Sequence, residues 1–357
     1  MTNGKIGRRF FEERIRPNLG AERDDVTLGP AHGCDFGVIG QGSATGRNGQ
    51  ATVVATDPIS MLPELGAARA GRFALHIALS DVAVSGIAPS HLSIAFSLPT
   101  TVDDETFGQF WAGIHAECER LGVSVITGHT ARYPGASLPW VGAATVLGIG
   151  DSDRIVRPDG AQPGDKLVVT RGPAVEATGL FASLYPDALA ARGLDAETVA
   201  TAAERLDDVQ LVEDALAVAA VGEERGGHTD GAEASAVHAM HDATEGGLLG
   251  AFHETAGASG VRFEIERSAV PRGDGVDPVC EALEMDPWTA TTSGTLLVSV
   301  APDAADTVVE RLRNRGTPAA SVGEVREGSG VAIDGEETTP PESDASWAVY
   351  GELSGRE

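Results

Sequence analysis

Apolar positions along the chain fall into two kinds of run. Short alternating or continuous apolar stretches bounded by Gly, Pro, Asn or Asp predict strands over 35–39, 51–56, 91–98, 123–129, 138–150, 166–172, 236–241, 261–266, 292–300 and 318–325. Longer stretches with helical spacing predict helices over 64–86, 103–122 and 303–316, several Ala-rich helices up to about 221, and one more after the strand ending at His241. Residues 5–16 read as a short charged helix. The glycine-rich segment 40–50 reads as a hairpin loop, with phosphate cradling as its other reading. Residues 222–235 read as a polar loop, and the last 20 residues as loosely held. The Gly, Pro and Asp of 150–165 mark a connector. The expected division is 1–155, 156–345 and a tail, 346–357. Both halves mix strands with amphipathic helices, an α/β (α+β) pattern repeated in two domains.

A chain of 357 residues, 42% apolar, is long enough for two cores. The charge is more distinctive: 53 acids against 26 bases, net −27, with Lys5 and Lys166 the only lysines. So much like charge repels itself at low salt and is screened within a few ångströms in concentrated salt. Acid excess together with lysine scarcity predicts a protein suited to high salt, a halophilic archaeal-type composition; an ordinary acidic cytosolic protein is the alternative. The charge argues against non-specific nucleic-acid binding and against docking on anionic membranes. Cys34, Cys118 and Cys280 lie far apart with no CxxC spacing, which fits a reduced interior. The N-terminus is charged throughout, without an apolar signal core, and no apolar run reaches the roughly 18 residues needed to span a bilayer. The expected location is the cytoplasm.

No GxxxxGK[ST], GxGxxG after a strand, HExxH or GxSxG occurs. Instead, single aspartates stand in apolar settings: Asp35 in GCDFGVI, Asp57 in VVATDPIS and Asp81 in LHIALSDVAVSG. A carboxylate among Ala, Leu, Val and Ile costs several kcal/mol unless paired. Asp81 is either at the edge of a helix-end turn or a ligand for Mg²⁺, which takes hard oxygen donors. VITGHTARYPG reads as a strand running into a glycine turn, so that His129 and Thr130 point at whatever lies beyond the strand's end. Arg132 is then a phosphate partner or a surface arginine. In HDATEGGLLGAF, Asp242 or Thr244 is expected to cap the next helix, while Gly246 and Gly247 let a ligand approach backbone N–H groups at its positive end. The alternative is a capped helix with a tight turn.

HDATEGGLLGAFHETAGASGVRFEIE resembles the second-domain signature of the aminoimidazole ribonucleotide synthetase (PurM) superfamily. GPAHGCDFGVI, ATDPIS, ALSDVAVSGIAPSHLSIAFSLP and ITGHTARYPG resemble its first-domain blocks, in order. The likeness covers about residues 25–325 and is nearest to the archaeal hydrogenase-maturation, HypE-like branch. It implies a two-domain PurM-like fold. The N-terminal domain would carry a mixed sheet that pairs in a homodimer, and the C-terminal domain would be an α/β sandwich. It also implies ATP with Mg²⁺ in a cleft between the domains, used to activate an amide or carbamoyl oxygen or to phosphorylate a small acceptor. By this likeness Asp35, Asp57, Asp81 and Asp242 meet the metal. Asp81, His129, Arg132 and Asp242 serve the chemistry. Thr56, Gly128, Thr130, Thr244, Gly246 and Gly247 lie beside nucleotide or substrate phosphates. Three positions depart from the pattern: Cys34 replaces an acid, His129 replaces the aspartate of Gly-Asp-Thr, and the tail WAVYGELSGRE has no cysteine. The expected activity is therefore ATP-dependent but open in its acceptor. A thiamine-monophosphate kinase-like enzyme and a catalytically weak nucleotide-binding assembly protein are the alternatives.

Overall fold

A computed structural model describes residues 4–5, 7–41, 49–225 and 235–355. Most of the expected 40–50 loop and of the 222–235 loop lies outside the described residues; the helix before the second loop runs on to Arg225. The chain divides into two compact units. One comprises Arg23–Gly29 and Phe36–Ile155; the other comprises Met1–Glu22, Pro30–Asp35 and Val156–Glu357.

The Phe36–Ile155 unit is built on a six-stranded mixed sheet in the order β1-β2-β3-β6-β4-β5. Its strands are β1 Val26–Leu28, β2 Gly37–Gln41, β3 Gln50–Ser60, β4 Pro89–Leu98, β5 Ser124–Arg132 and β6 Trp140–Asp151. Only β4 and β5 run parallel, and the helix between them supplies the crossover that parallel pairing requires. The helices that follow the N-terminal turn α1 (Arg8–Phe10) are α2 (Ala67–Ala83) and α3 (Asp104–Leu121). Phe73, Leu75, Leu79 and Val82 of α2 are buried, as are Phe110 and Ile114 of α3, so both helices cover apolar surface. Asp103 caps α3 by accepting from Thr106 N at 2.7 Å, as its acidic start predicts. Among the described residues, the opposite face of the sheet carries exposed apolar side chains. Ile39 and Ile149 both pair with Thr52 on it and are 42% and 44% exposed.

The other unit carries a seven-stranded sheet, order β13-β12-β9-β11-β7-β10-β8. Its strands are β7 Lys166–Thr170, β8 Val237–Ala243, β9 Arg262–Ile265, β10 Thr295–Val300, β11 Ala319–Arg326, β12 Gly330–Ile333 and β13 Glu336–Glu337. The helices are α4 Val175–Leu184, α5 Pro186–Ala191, α6 Ala196–Ala203, α7 Val212–Arg225, α8 Gly247–Ser259, α9 Val276–Ala282, α10 Ala305–Asn314 and α11 Ala345–Ser354. Leu248, Phe252 and Ala256 of α8 pack with Leu167, Val169, Leu297 and Phe263 in one core. Every residue of β8 except His238, and all of β10, is buried, which is why TLLVSV and VHAM read as continuous apolar runs rather than alternating ones.

Three expectations change. Residues 345–354 are not loose: they form α11, whose Val349 is 7% exposed and joins a core with α4, α6 and α9. Residues 8–18 are helical only in short pieces, an α turn, a π turn and a 3₁₀ turn. The strand expected over 123–129 continues to Arg132, because β5 follows β4 residue for residue from Ser93 to Leu98. No helix among the described residues is long and apolar enough to cross a membrane.

Candidate cation and nucleotide site

The register of β8 places His241 opposite Leu297, on the same face as Ala239 and Ala243, which pack with α8. His241 is 2% exposed. Its Nδ1 lies 2.6 Å from Asp35 Oδ2, and its Nε2 lies 3.2 Å from Glu254 Oε2 on α8. Glu254 in turn accepts from Lys5 Nζ at 3.2 Å. Asp35 reaches this position because the loop before it runs against α8. Gly33 has φ +79°, and a Cβ there would sit 3.1 Å from Glu254 Cβ.

Next to this chain stands Asp242, also 2% exposed. One ligand atom from each of Asp35, His241 and Asp242 falls within 4.8 Å of the others. Burial alone would push the His241 imidazole down; Asp35 and Glu254 overcome it and raise it to about 10, so the ring is an imidazolium. Burial would raise Glu254, yet the His241 hydrogen bond and the Lys5 charge hold it down at about 2. With both ring nitrogens donating to carboxylates, His241 is an orienting cation, and the oxygens of Asp35 and Asp242 are the donors suited to a metal. One oxygen of each carboxylate is brought near the other, and such hard oxygens fit Mg²⁺.

The start of α8 differs from expectation. Neither Asp242 nor Thr244 caps it: Asp242 belongs to β8, and the N-cap is Gly246, φ +82°. The Gly246 N–H donates to Asp344 Oδ2 at 2.8 Å, from the segment leading into α11. Asp344 also accepts from Thr291 N and Ser346 N. Gly247 is required by packing, since a Cβ there would lie 2.6 Å from Trp288 O. Thr244 lies between β8 and that helix, half-buried.

The remaining candidates lie in the Phe36–Ile155 unit. Asp57 lies within β3, not after it, and pairs with Ala144 on the face that α2 covers. Asp81 is on the last turn and a half of α2, half-buried. Thr56, one residue before Asp57, falls on the open face and shares a hydrogen bond with Thr145. Gly128, His129 and Thr130 lie inside the edge strand β5, all exposed. His129 is 3.2 Å from Tyr133 Oη. Arg132 is held on the first turn of α3, donating to Asp104 at 2.6 Å and to Val102 O at 3.1 Å.

Lys5, Glu254 and Asp344 escape sequence reasoning. Lys5 lies 249 positions from Glu254, and Asp344 lies 98 positions from Gly246, both in segments without periodicity. Glu254 had one signal, a carboxylate in the apolar helix GLLGAFHETAG.

Two family models match. The AIR synthase related protein N-terminal domain matches residues 34–149, and the corresponding C-terminal domain matches 162–336. The chain belongs to the AIR synthase related protein family. Among its relatives, carbamoyl dehydratase HypE of Escherichia coli is 28% identical over 270 residues, 74% of this chain and 73% of that protein. The crystal structure of E. coli HypE superimposes with a TM-score of 0.67 at 25% identity, covering 82% of this chain and 87% of that one. The selenide, water dikinase of Burkholderia pseudomallei is 30% identical, covering 72% of this chain and 74% of that protein. A hydrogenase maturation protein HypE solved in complex with ATP shares the fold, with TM-score 0.65 at 21% identity over 96% of this chain and 97% of that one. The expected superfamily and its HypE-like branch are thereby established, together with the mixed α/β architecture.

Proposed function

We propose that this AIR synthase related chain is an ATP- and Mg²⁺-dependent enzyme. It activates or phosphorylates a small amide, carbamoyl or phosphate-acceptor substrate, with hydrogenase maturation the nearest setting. The observation that carries this reading is the meeting of Asp35, whose side chain is 8% exposed and held by His241, with the buried Asp242. The carbamoyl dehydratase relative and the ATP-bound HypE neighbour favour the nucleotide and the carbamoyl class.

In this reading, Mg²⁺-ATP, when bound, supplies the transferable phosphoryl group and neutralises its charge. Asp35 and Asp242 hold the cation through carboxylate oxygens. Asp57 and Asp81 are oxygen donors of their own unit. Thr56, Gly128, Thr130, Thr244, Gly246 and Gly247 flank phosphates, and His129 and Arg132 offset charge that develops during transfer. For the Gly246 N–H to reach a phosphate, Asp344 must yield it. We also propose a homodimer formed through the open sheet face bearing Ile39 and Ile149, an apolar surface of the kind that marks interfaces.

The test is incubation with Mg²⁺-ATP in molar KCl with a panel of carbamoyl, amide and phosphate acceptors, followed by mass analysis. Magnesium-dependent release of ADP or AMP that Asp242→Asn abolishes is the expected result. Thermal stabilisation by Mg²⁺-ATP without turnover points to the assembly-protein alternative, and neither effect refutes the nucleotide reading altogether.

A further inference from the structure

We propose that Glu254 and His241 form a positioning relay that aims the Asp35 carboxylate at the cation it shares with Asp242, with Lys5 closing the far end. This rests on the magnesium reading of Asp35 and Asp242.

The geometry is a hydrogen-bonded line of side chains drawn from four separate segments. Lys5 comes from the N-terminal stretch, Glu254 from α8, His241 from β8 and Asp35 from the loop before β2. The contacts are 3.2 Å for Lys5–Glu254, 3.2 Å for Glu254–His241 and 2.6 Å for His241–Asp35. The imidazole is fixed at both nitrogens, so its ring cannot turn, and the oxygen it grips on Asp35 cannot turn either. The side chains of His241, Asp35 and Glu254 are 2%, 8% and 14% exposed, so water does not loosen the arrangement.

A purely structural ion pair does not require this form. Apolar residues of similar volume stabilise a core as well or better than buried charges. A hydrogen-bonded series of four side chains, ending on a carboxylate whose neighbour is the buried Asp242, directs an oxygen to a point. Outer partners of this kind, a carboxylate behind a histidine, orient metal ligands and tune their basicity; their removal costs roughly 10- to 100-fold in metal affinity. The relay differs from that common form because the histidine grips a ligand carboxylate rather than the metal.

The experiment is calorimetric titration of the full chain with MgCl₂ alone, without nucleotide, in potassium chloride. It compares wild type, Asp242→Asn, His241→Gln, Glu254→Gln and Lys5→Gln, with folding checked by near-ultraviolet circular dichroism. The relay predicts Mg²⁺ affinity lost in Asp242→Asn, about tenfold weaker in His241→Gln and Glu254→Gln, and weakened a few-fold in Lys5→Gln. Lys5→Gln, at the half-exposed end of the chain, keeps the test decisive if the buried variants do not fold. The relay alone is overturned if Asp242→Asn loses Mg²⁺ while folded His241→Gln and Glu254→Gln, or Lys5→Gln in their absence, bind it as wild type does. If wild type binds no Mg²⁺, or Asp242→Asn binds it unchanged, the magnesium reading fails and the relay with it.

Discussion

His241 and Asp35, separated by 206 positions in the chain, meet at 2.6 Å. The contact joins the strand that opens the HDATEGG signature to the aspartate of GCDFGVI, two of the blocks that carry the family likeness. Removing the imidazole leaves Asp35 and Glu254 buried without their shared cation. His241→Ala is expected to destabilise its unit by about 3–5 kcal/mol, the usual effect of breaking a buried charge pair from one side. Urea unfolding measures this; a loss below about 1 kcal/mol contradicts the charge assignment.

A second buried charge cluster sets an acid limit on the Phe36–Ile155 unit. Glu117 of α3 meets His76 Nε2 of α2 at 3.3 Å, Arg120 Nε at 2.8 Å and Arg72 Nε at 3.1 Å. The His76 hydrogen bond leads the causes that lower Glu117 to about 2 from 4.5. Its folded value is depressed, so its contribution is complete above pH 4.5 and is lost as pH falls through about 2. His76 is itself lowered by burial, so protonating it also costs stability below its unfolded value of 6.5. Glu117→Gln is expected to flatten the fall in urea midpoint below pH 4.5. Parallel curves for variant and wild type exclude this role.

Asp344 ties the C-terminal segment to the start of α8. It accepts from the N–H groups of Gly246, Thr291 and Ser346 at 2.8, 3.3 and 2.8 Å. Asp344→Ala removes a cap and leaves buried donors unsatisfied, with an expected loss of about 1–3 kcal/mol. Hydrogen exchange should show faster opening of both α11 and the first turn of α8. Protection unchanged at α8 would remove Asp344 as its cap.

If the open sheet face pairs two copies, a charge at its centre acts twice across a two-fold axis. Ile149→Asp is expected to convert a dimer into a monomer in light scattering, with Mg²⁺ binding by Asp242 retained. A wild-type chain that runs as a monomer at any accessible concentration excludes the interface.

The site was legible unevenly. Asp35, like Asp57 and Asp81, stands out as a carboxylate in an apolar block, whereas Asp242 stands out through HDATEGG and the family likeness; the structure places Asp35 and Asp242 close together. His129 lies in a strand as expected, but the strand runs on through Thr130 to Arg132, because nothing in GHTARYPG says how far β4 will carry its neighbour; parallel pairing with Ser93–Leu98 extends it. The capping of α8 was misread for a related reason. Asp242 and Thr244 are suitable caps by residue type, but a carboxylate 98 positions away takes the Gly246 N–H instead.

Local chemistry written along the chain determined the mixed architecture in two parts, most of its strands and long helices, the acid-rich surface and the family. Those follow from periodicity, turn residues and charge, each of which acts within a few residues of its own position. Tertiary structure alone decided that Lys5, Glu254, His241 and Asp35 form one line, that Asp344 occupies the start of α8, and that the final residues pack as a helix. Each is a contact between segments distant in sequence, chosen by which surfaces desolvate together, and no local pattern records that choice.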